Sequence, residues 1–216
     1  YTAPTLFYKV TPETYTLKIF KNYALGEFDL DPRFSDLTYP RYITLDYDVL
    51  RKLELLKELM NAEGVPVTKF NILYGYRSMA YNLGSHNEDG DKTLKSSASM
   101  HMYGRALDIM VDEDRNLVLD DLNKDGKIDI QDARTLLMYV NQLDNRLHAH
   151  NSELFGGAGA YYHHDYWERG EYVQSPYVHF DIRNYANSRG NPVRWTGEDT
   201  IGVTKQRNPY RLKKAI

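Results

Sequence analysis

The hexapeptide Ala106-Leu107-Asp108-Ile109-Met110-Val111 alternates with the period of a strand. Successive side chains of a strand point to opposite faces, so Leu107, Ile109 and Val111 share one side and Ala106, Asp108 and Met110 the other. The same pattern recurs in Tyr177-Val178-His179-Phe180-Asp181-Ile182, where Val178, Phe180 and Ile182 oppose Tyr177, His179 and Asp181. Each strand is predicted to bury its apolar face and to present polar chemistry on the other.

Outward from these strands, Val49, Leu50, Leu53, Leu56, Leu59 and Met60 recur at helical spacing within residues 45–63, with Asp46 near the start and Gly64 and Pro66 at the end. A further strand is predicted over 71–76, a short helix over 79–83 and a polar loop over 84–99. Phe155-Gly156-Gly157-Ala158-Gly159-Ala160 reads as a tight or flexible turn, and 161–172 as an aromatic, charged loop. The first forty residues, rich in Tyr, Pro and Asp, read as extended segments and turns over the core. The expected class is α+β, a small antiparallel sheet with flanking helices. One domain is expected over 1–216, with 112–144 as an inserted unit.

Composition narrows the chemistry. The 216 residues are 42% hydrophobic and 26% charged, enough apolar content for a folded core. A net charge of -3 gives no broad basic field, so nucleic acid is a poor partner. No apolar run approaches the roughly 20 residues of a membrane-spanning helix. No secretory leader is recognisable at Tyr1, so location has to follow from function. With no cysteine, disulfides, thiol catalysis and Cys-bound zinc are excluded, and any metal must be held by His and carboxylates.

Such a set is available. His101 stands just before the strand of Asp108, and Gly104 permits the tight turn that would bring the two together. His179, on the second strand, can supply a third ligand, since paired strands lie only about 4.8 Å apart. Three protein ligands with an open fourth position is the pattern of catalytic zinc. On spacing alone, two ordinary half-buried histidines and a surface turn aspartate are the better account of these residues. His179 and Asp181 share a face, so either could be the ligand and the other its neighbour.

The order of several motifs says more. Gly75-Tyr76-Arg77-Ser78, then Ser99-Met100-His101-Met102-Tyr103-Gly104-Arg105-Ala106-Leu107-Asp108, then Gly156-Gly157-Ala158-Gly159, then Val178-His179-Phe180-Asp181 and finally Arg194-Trp195 run through the chain. Together with Leu25-Gly26-Glu27-Phe28, this series resembles the peptidase M15 family, within the zinc metallopeptidases that include D-Ala-D-Ala carboxypeptidases, lysostaphin-like enzymes and the hedgehog domain. The resemblance covers roughly residues 20 to 195. It implies a hedgehog/D,D-peptidase-like fold, zinc held by His101, Asp108 and His179, and a hydrolase acting on peptidoglycan peptides at a D,D- or L,D-type bond. It places the protein outside the cytoplasm (periplasm, cell wall or secreted) or in a phage.

It also implies that Arg77 binds substrate, where a guanidinium's two-pronged fork suits a carboxylate or carbonyl. The alternative for Arg77 is a structural salt bridge within the protein. Ser99 either contacts substrate or caps the turn. Many relatives carry a carboxylate three residues before the last ligand, as general base, and here that position is Pro176. Asp181 is the expected replacement, either as base or as the group orienting a ligand histidine. His163, His164, Glu168 and Glu171 are further candidates. The missing carboxylate leaves a second reading open, an inactive cell-wall-peptide binding module of the same fold.

A second cation signal lies between the two strands. Asp121, Asn123, Asp125, Lys127 (through its carbonyl), Asp129 and Asp132 fit positions 1, 3, 5, 7, 9 and 12 of the EF-hand calcium loop, with Gly126 at position 6. Ala133, Leu136, Leu137, Val140 and Leu143 then continue as the exiting helix. Aspartate at position 12 resembles dockerin loops. Asp112, Asp114 and Asn116 begin a similar pattern, but Leu117 stands at the glycine position, so one Ca2+ loop is expected, bracing the fold.

Overall fold

The computed structural model describes residues 3–29, 39–79, 99–168 and 171–196, with backbone alone for 163–168, 171–174 and 196. Apart from Met79 and Ser99, the segments expected as a short helix and a polar loop lie outside the described residues. Four short strands, β1 (Tyr8–Val10), β2 (Lys18–Phe20), β3 (Tyr23–Ala24) and β4 (Arg41–Ile43), form two antiparallel ribbons, β1 with β4 and β2 with β3. Of these, β1, β2 and β3 are extended segments of the kind expected over the first forty residues, and β4 lies just past them.

Helix α1 (Tyr47–Ala62) begins where Asp46 accepts a hydrogen bond from the Asp48 amide at 3.0 Å, the usual relief for a helix's unpaired first N–H groups. It buries the six apolar residues expected of it, and also Lys52. Helix α2 (Ile130–Ala149) is capped in the same manner by Asp129, which accepts from the Gln131 amide at 2.7 Å.

The main sheet contains β5 (Phe70–Tyr74), β6 (Ala106–Val111), β7 (Ala158–Glu168), β8 (Glu171–Asp181) and β9 (Arg194–Thr196), in the spatial order β5-β6-β8-β7-β9. The fold is α+β as expected, but the sheet is mixed, because β9 runs parallel to β7 while the other neighbours are antiparallel. Within the expected loop over 161–172, residues 161–168 and 171–172 are instead antiparallel strand, with Tyr161 opposite Tyr177 and Glu168 opposite Glu171. The Gly/Ala run at 156–160 masks the strand signal of the Tyr, Trp and Val residues that follow it. Aromatic and β-branched side chains gain most of their strand preference from partners across the sheet.

The apolar faces of the two predicted strands are buried as expected: Leu107, Ile109, Val111, Val178, Phe180 and Ile182 join residues of α1 and α2 in one cluster. Ala133, Leu136, Val140 and Leu143 belong to it too, so the helix of the expected insertion is built into the common core. The polar faces are not open to water. All six residues of β6 are buried, because β6 lies between β5 and β8 and His101 packs over Asp108. Among the described residues, no helix is long and apolar enough to cross a membrane.

Candidate metal centre

Three segments bring three side chains to one point. Asp108 on β6 and His179 on β8 are direct cross-strand partners. His101 enters from a 3-10 turn, Met100–Tyr103, that stops at Gly104 in the left-handed region with φ +65. A Cβ at Gly104 would run into the Thr44 carbonyl, so both the backbone angle and the close approach call for glycine. The turn folds His101 back over β6. His101 Nε2 lies 3.0 Å from His179 Nδ1 and 3.2 Å from Asp108 Oδ1, and His179 Nδ1 lies 2.9 Å from the same oxygen.

The protons on the two rings follow from their outer partners. His101 Nδ1 is 2.6 Å from the Gly75 carbonyl, which can only accept, so this nitrogen carries the hydrogen. His179 Nε2 is 3.3 Å from Asp181 Oδ2, and it likewise donates to the carboxylate. In their neutral forms the rings therefore turn two bare lone pairs towards a carboxylate oxygen. Three electron-rich atoms at 2.9–3.2 Å repel one another unless a cation lies between them. The edges of this triangle are close to the ~3.3 Å expected for a tetrahedron with zinc bonds of about 2.0–2.1 Å. The donor set fits zinc, with one position left for a further ligand.

The electrostatics agree. Burial, reinforced by Arg77, pushes His101 down to about 4, so the ring is neutral and ready to ligate at physiological pH. Burial alone would raise the Asp108 carboxyl, but His101, Arg77 and His179 hold it well below the usual range. His179 is drawn down by burial and up by bonds to Asp108 and Asp181, with a net rise. A metal binding here must displace any proton held on His179 Nδ1.

Around this triangle the remaining expected residues take distinct places. Arg77 donates from Nη2 to Asp108 Oδ2, leaving Oδ1 to face the histidines, and its guanidinium lies 4.6 Å over the Tyr74 ring. Ser99 offers its carbonyl to the Met102 amide at 3.0 Å and makes no side-chain cap. Asp181 is fully buried, accepting from the Gly157 amide at 2.7 Å, the Arg183 amide and guanidinium, and His179. These bonds hold its carboxyl below the ordinary range against the upward push of burial. It sits at Nε2, on the opposite side of the ring from the ligand nitrogen. That placement suits the orienting role better than that of a base. Pro176 lies within β8, and the side chains of His163, His164, Glu168 and Glu171 fall outside the described residues.

Sequence reasoning missed an aromatic wall beside the triangle. Gly159 is the β7 partner of His179, and a Cβ there would strike Trp195 Nε1, so the absent side chain makes room for the indole. Trp195 lies 5.2 Å from the His179 ring and donates to the Tyr161 hydroxyl at 2.7 Å. Tyr161 in turn stacks on Tyr177 at 4.8 Å and 6°. Strand parity flagged Tyr177 as a neighbour of His179, while Tyr161 was hidden in the supposed loop.

The acidic segment before α2 folds into two successive turns of one design. In the expected calcium loop the Asp125 amide donates to Asp121 Oδ1 and Asn123 Oδ1, Gly126 to Asp121 Oδ2, and Lys127 to Asp125 Oδ1. Both Asp132 oxygens accept backbone amides, from Leu122 and Asn123 on one and Asp129 on the other. The nine residues before it repeat the pattern: Asn116 donates to Asp112 and Asp114, Leu117 to Asp112, and Val118 to Asn116. Leu117 takes φ +71 where Gly126 takes +81, so the side chain that argued against a second calcium loop does not prevent the same turn. Asp112, Asp114 and Asp120 each offer an oxygen within 4.8 Å of the others. The chain matches no family model, no curated protein and no solved structure.

Proposed function

We propose that this chain is a zinc-dependent peptidase that hydrolyses peptide bonds of bacterial peptidoglycan, as a D,D- or L,D-carboxypeptidase or endopeptidase. The observation that supports a metal is the convergence of His101 Nε2, His179 Nδ1 and Asp108 Oδ1, with both outer ring nitrogens already committed. The substrate class, the hedgehog/D,D-peptidase-like fold and the extracytoplasmic or phage setting rest on the ordered motifs that resemble the M15 family. Zinc held by these residues would supply a Lewis acid for the scissile carbonyl and acidify the water that attacks it. The protein's own part is orientation: Gly75 and Asp181 set the two rings, and Arg77 holds the outer oxygen of Asp108. Arg77 and Ser99 are the proposed substrate contacts.

One observation favours a second reading, an inactive module that binds cell-wall peptides. Pro176 stands where relatives carry a base, and Asp181 is sealed beneath His179. Zinc-loaded protein incubated with purified muropeptides between about pH 5 and 9 separates the two, with products read by mass spectrometry. Cleavage is expected. Retained peptide binding with no cleavage at any pH would establish the module instead.

Calcium in the loop of Asp121, Asn123, Asp125, Lys127, Asp129 and Asp132 is proposed as a brace, since an ion that binds only the folded state stabilises it by mass action. With calcium at about 100 times its dissociation constant, that contribution is ~2.7 kcal/mol. Asp125→Ala is expected to remove most of the calcium-dependent rise in melting temperature while changing the calcium-free melt little. An undiminished rise in the variant would reject the loop.

A further inference from the structure

Tyr161 occupies the same sheet face as the metal centre. On β7 and β8, Gly159 pairs with His179 and Tyr161 with Tyr177, and His179 pairs with Asp108 across β6. Alternation along β7 therefore puts Tyr161 on the side of the sheet that carries His179 and Asp108. Two contacts hold its ring: the stack on Tyr177 at 4.8 Å and the bond from Trp195, itself 5.2 Å from the His179 ring.

The direction of that bond has a chemical consequence. An indole N–H can only donate, so the Trp195 bond occupies an acceptor site on the Tyr161 oxygen and leaves the phenolic hydrogen to be given elsewhere. Among the described residues no acceptor takes it. A half-buried hydroxyl fixed by an indole, with its proton uncommitted and beside a cation site, is a donor prepared for negative charge.

We infer that Tyr161 is a further catalytic residue, donating a hydrogen bond from its hydroxyl to the carbonyl oxygen of the peptide bound at the metal centre, most strongly as that oxygen becomes anionic. The inference rests on the peptidase reading. Within the aromatic wall, Trp195 and Tyr177 hold the phenol, and the phenol meets the substrate. Hydrogen bonds to charged groups lie at the strong end of the range, so loss of this one is expected to weaken binding of the anionic form by about tenfold to a hundredfold.

The test uses the zinc-loaded chain and a phosphinate analogue of a D-alanyl-D-alanine dipeptide, whose tetrahedral anionic centre copies the charge built up in peptide hydrolysis. Tyr161→Phe is expected to lose about thirtyfold in affinity for the phosphinate and in kcat/KM on muropeptides, with zinc affinity unchanged. Trp195→Phe removes the other half of the bond but keeps the hydroxyl, and it is expected to lose clearly less. Equal losses in the two variants would mean that the bond only braces the wall, and would overturn the inference. So would wild-type affinity in Tyr161→Phe. A wild-type protein that neither binds the phosphinate nor cuts muropeptides overturns the peptidase reading itself, whereas normal wild-type activity with a silent Tyr161→Phe overturns this inference alone.

Discussion

His101→Ala is expected to reduce bound zinc from about one ion per chain to less than about a tenth at micromolar metal, and to abolish hydrolysis. Removing a group that merely orients a ligand typically weakens metal binding by about 10–100-fold, and His101 is a proposed ligand itself. The metal-free fold should survive. The side chain is buried, and its removal leaves the Gly75 carbonyl without a donor, at about 1–3 kcal/mol. It also takes one of three mutually repelling atoms out of the triangle. The informative pair of measurements is metal content after dialysis and the shift in melting temperature on adding zinc. The wild-type protein should gain several degrees and the variant none. Full zinc content in the variant would remove the assignment. Asp181→Ala provides a graded comparison, because it leaves all three ligands in place and frees only the His179 ring. Its expected loss of zinc affinity is smaller, ~10–100-fold.

Asp144→Ala is expected to be the most destabilising single change outside the metal centre. Lys52 is fully buried on α1, with Nζ 2.6 Å from Asp144 Oδ1 and 2.8 Å from the Asp181 carbonyl. The other Asp144 oxygen accepts from Arg194 at 2.7 Å, and Oδ1 also accepts the Gly156 amide at 3.2 Å. One buried carboxylate thus balances two cations and ties α1, α2, β9 and the segment leading into β7 together, and through Lys52 the end of β8. Removing it leaves Lys52 buried without its anion and takes the ion pair from the part-buried Arg194, a loss of about 3–5 kcal/mol. For a chain of this size each kcal/mol shifts the melting temperature by about 2–4 °C, so a fall of ~6–20 °C is expected. A double change, Lys52→Met with Asp144→Leu, should recover part of it, since apolar side chains of similar volume often replace a buried pair with little penalty. Urea titration gives the free energies. A loss below about 1 kcal/mol for Asp144→Ala would show that water reaches Lys52 and relieves it.

The two predictions meet at β8. The Asp181 backbone carbonyl receives Lys52, while its side chain receives His179 Nε2. The ion cluster therefore fixes the strand that presents His179, the proposed third ligand. Asp144→Ala is expected to weaken zinc binding as well as lower stability, although Asp144 lies outside the ligand triangle. Measuring zinc affinity well below the melting temperature of the variant separates this effect from unfolding.

How much of this was legible in the sequence depended on the range of the forces involved. Helix α1 and its Asp46 cap, strand β6 and the turn of Asp121, Asn123 and Asp125 were readable because periodicity, capping and Asx bonding act within a few residues of chain. The pairing of Asp108 with His179 was readable because a period of two places both on one face, and Gly104 announced the turn that returns His101. What the chain could not state locally was decided by packing. Residues 161–168 became strand only when β8 supplied partners for their backbone, and for Tyr161 a ring to stack on. Lys52 looks like one more surface lysine until α2 brings Asp144 against it. Leu117 takes a left-handed angle because Asp112 and Asp114 hold the turn around it. Strand parity left the place of Asp181 open, and Arg183 and the Gly157 amide fix its carboxylate beside His179 Nε2, away from Asp108 and His101. Local chain physics determined which side chains can ligate, and the long-range contacts of a buried sheet decided where their protons and partners lie.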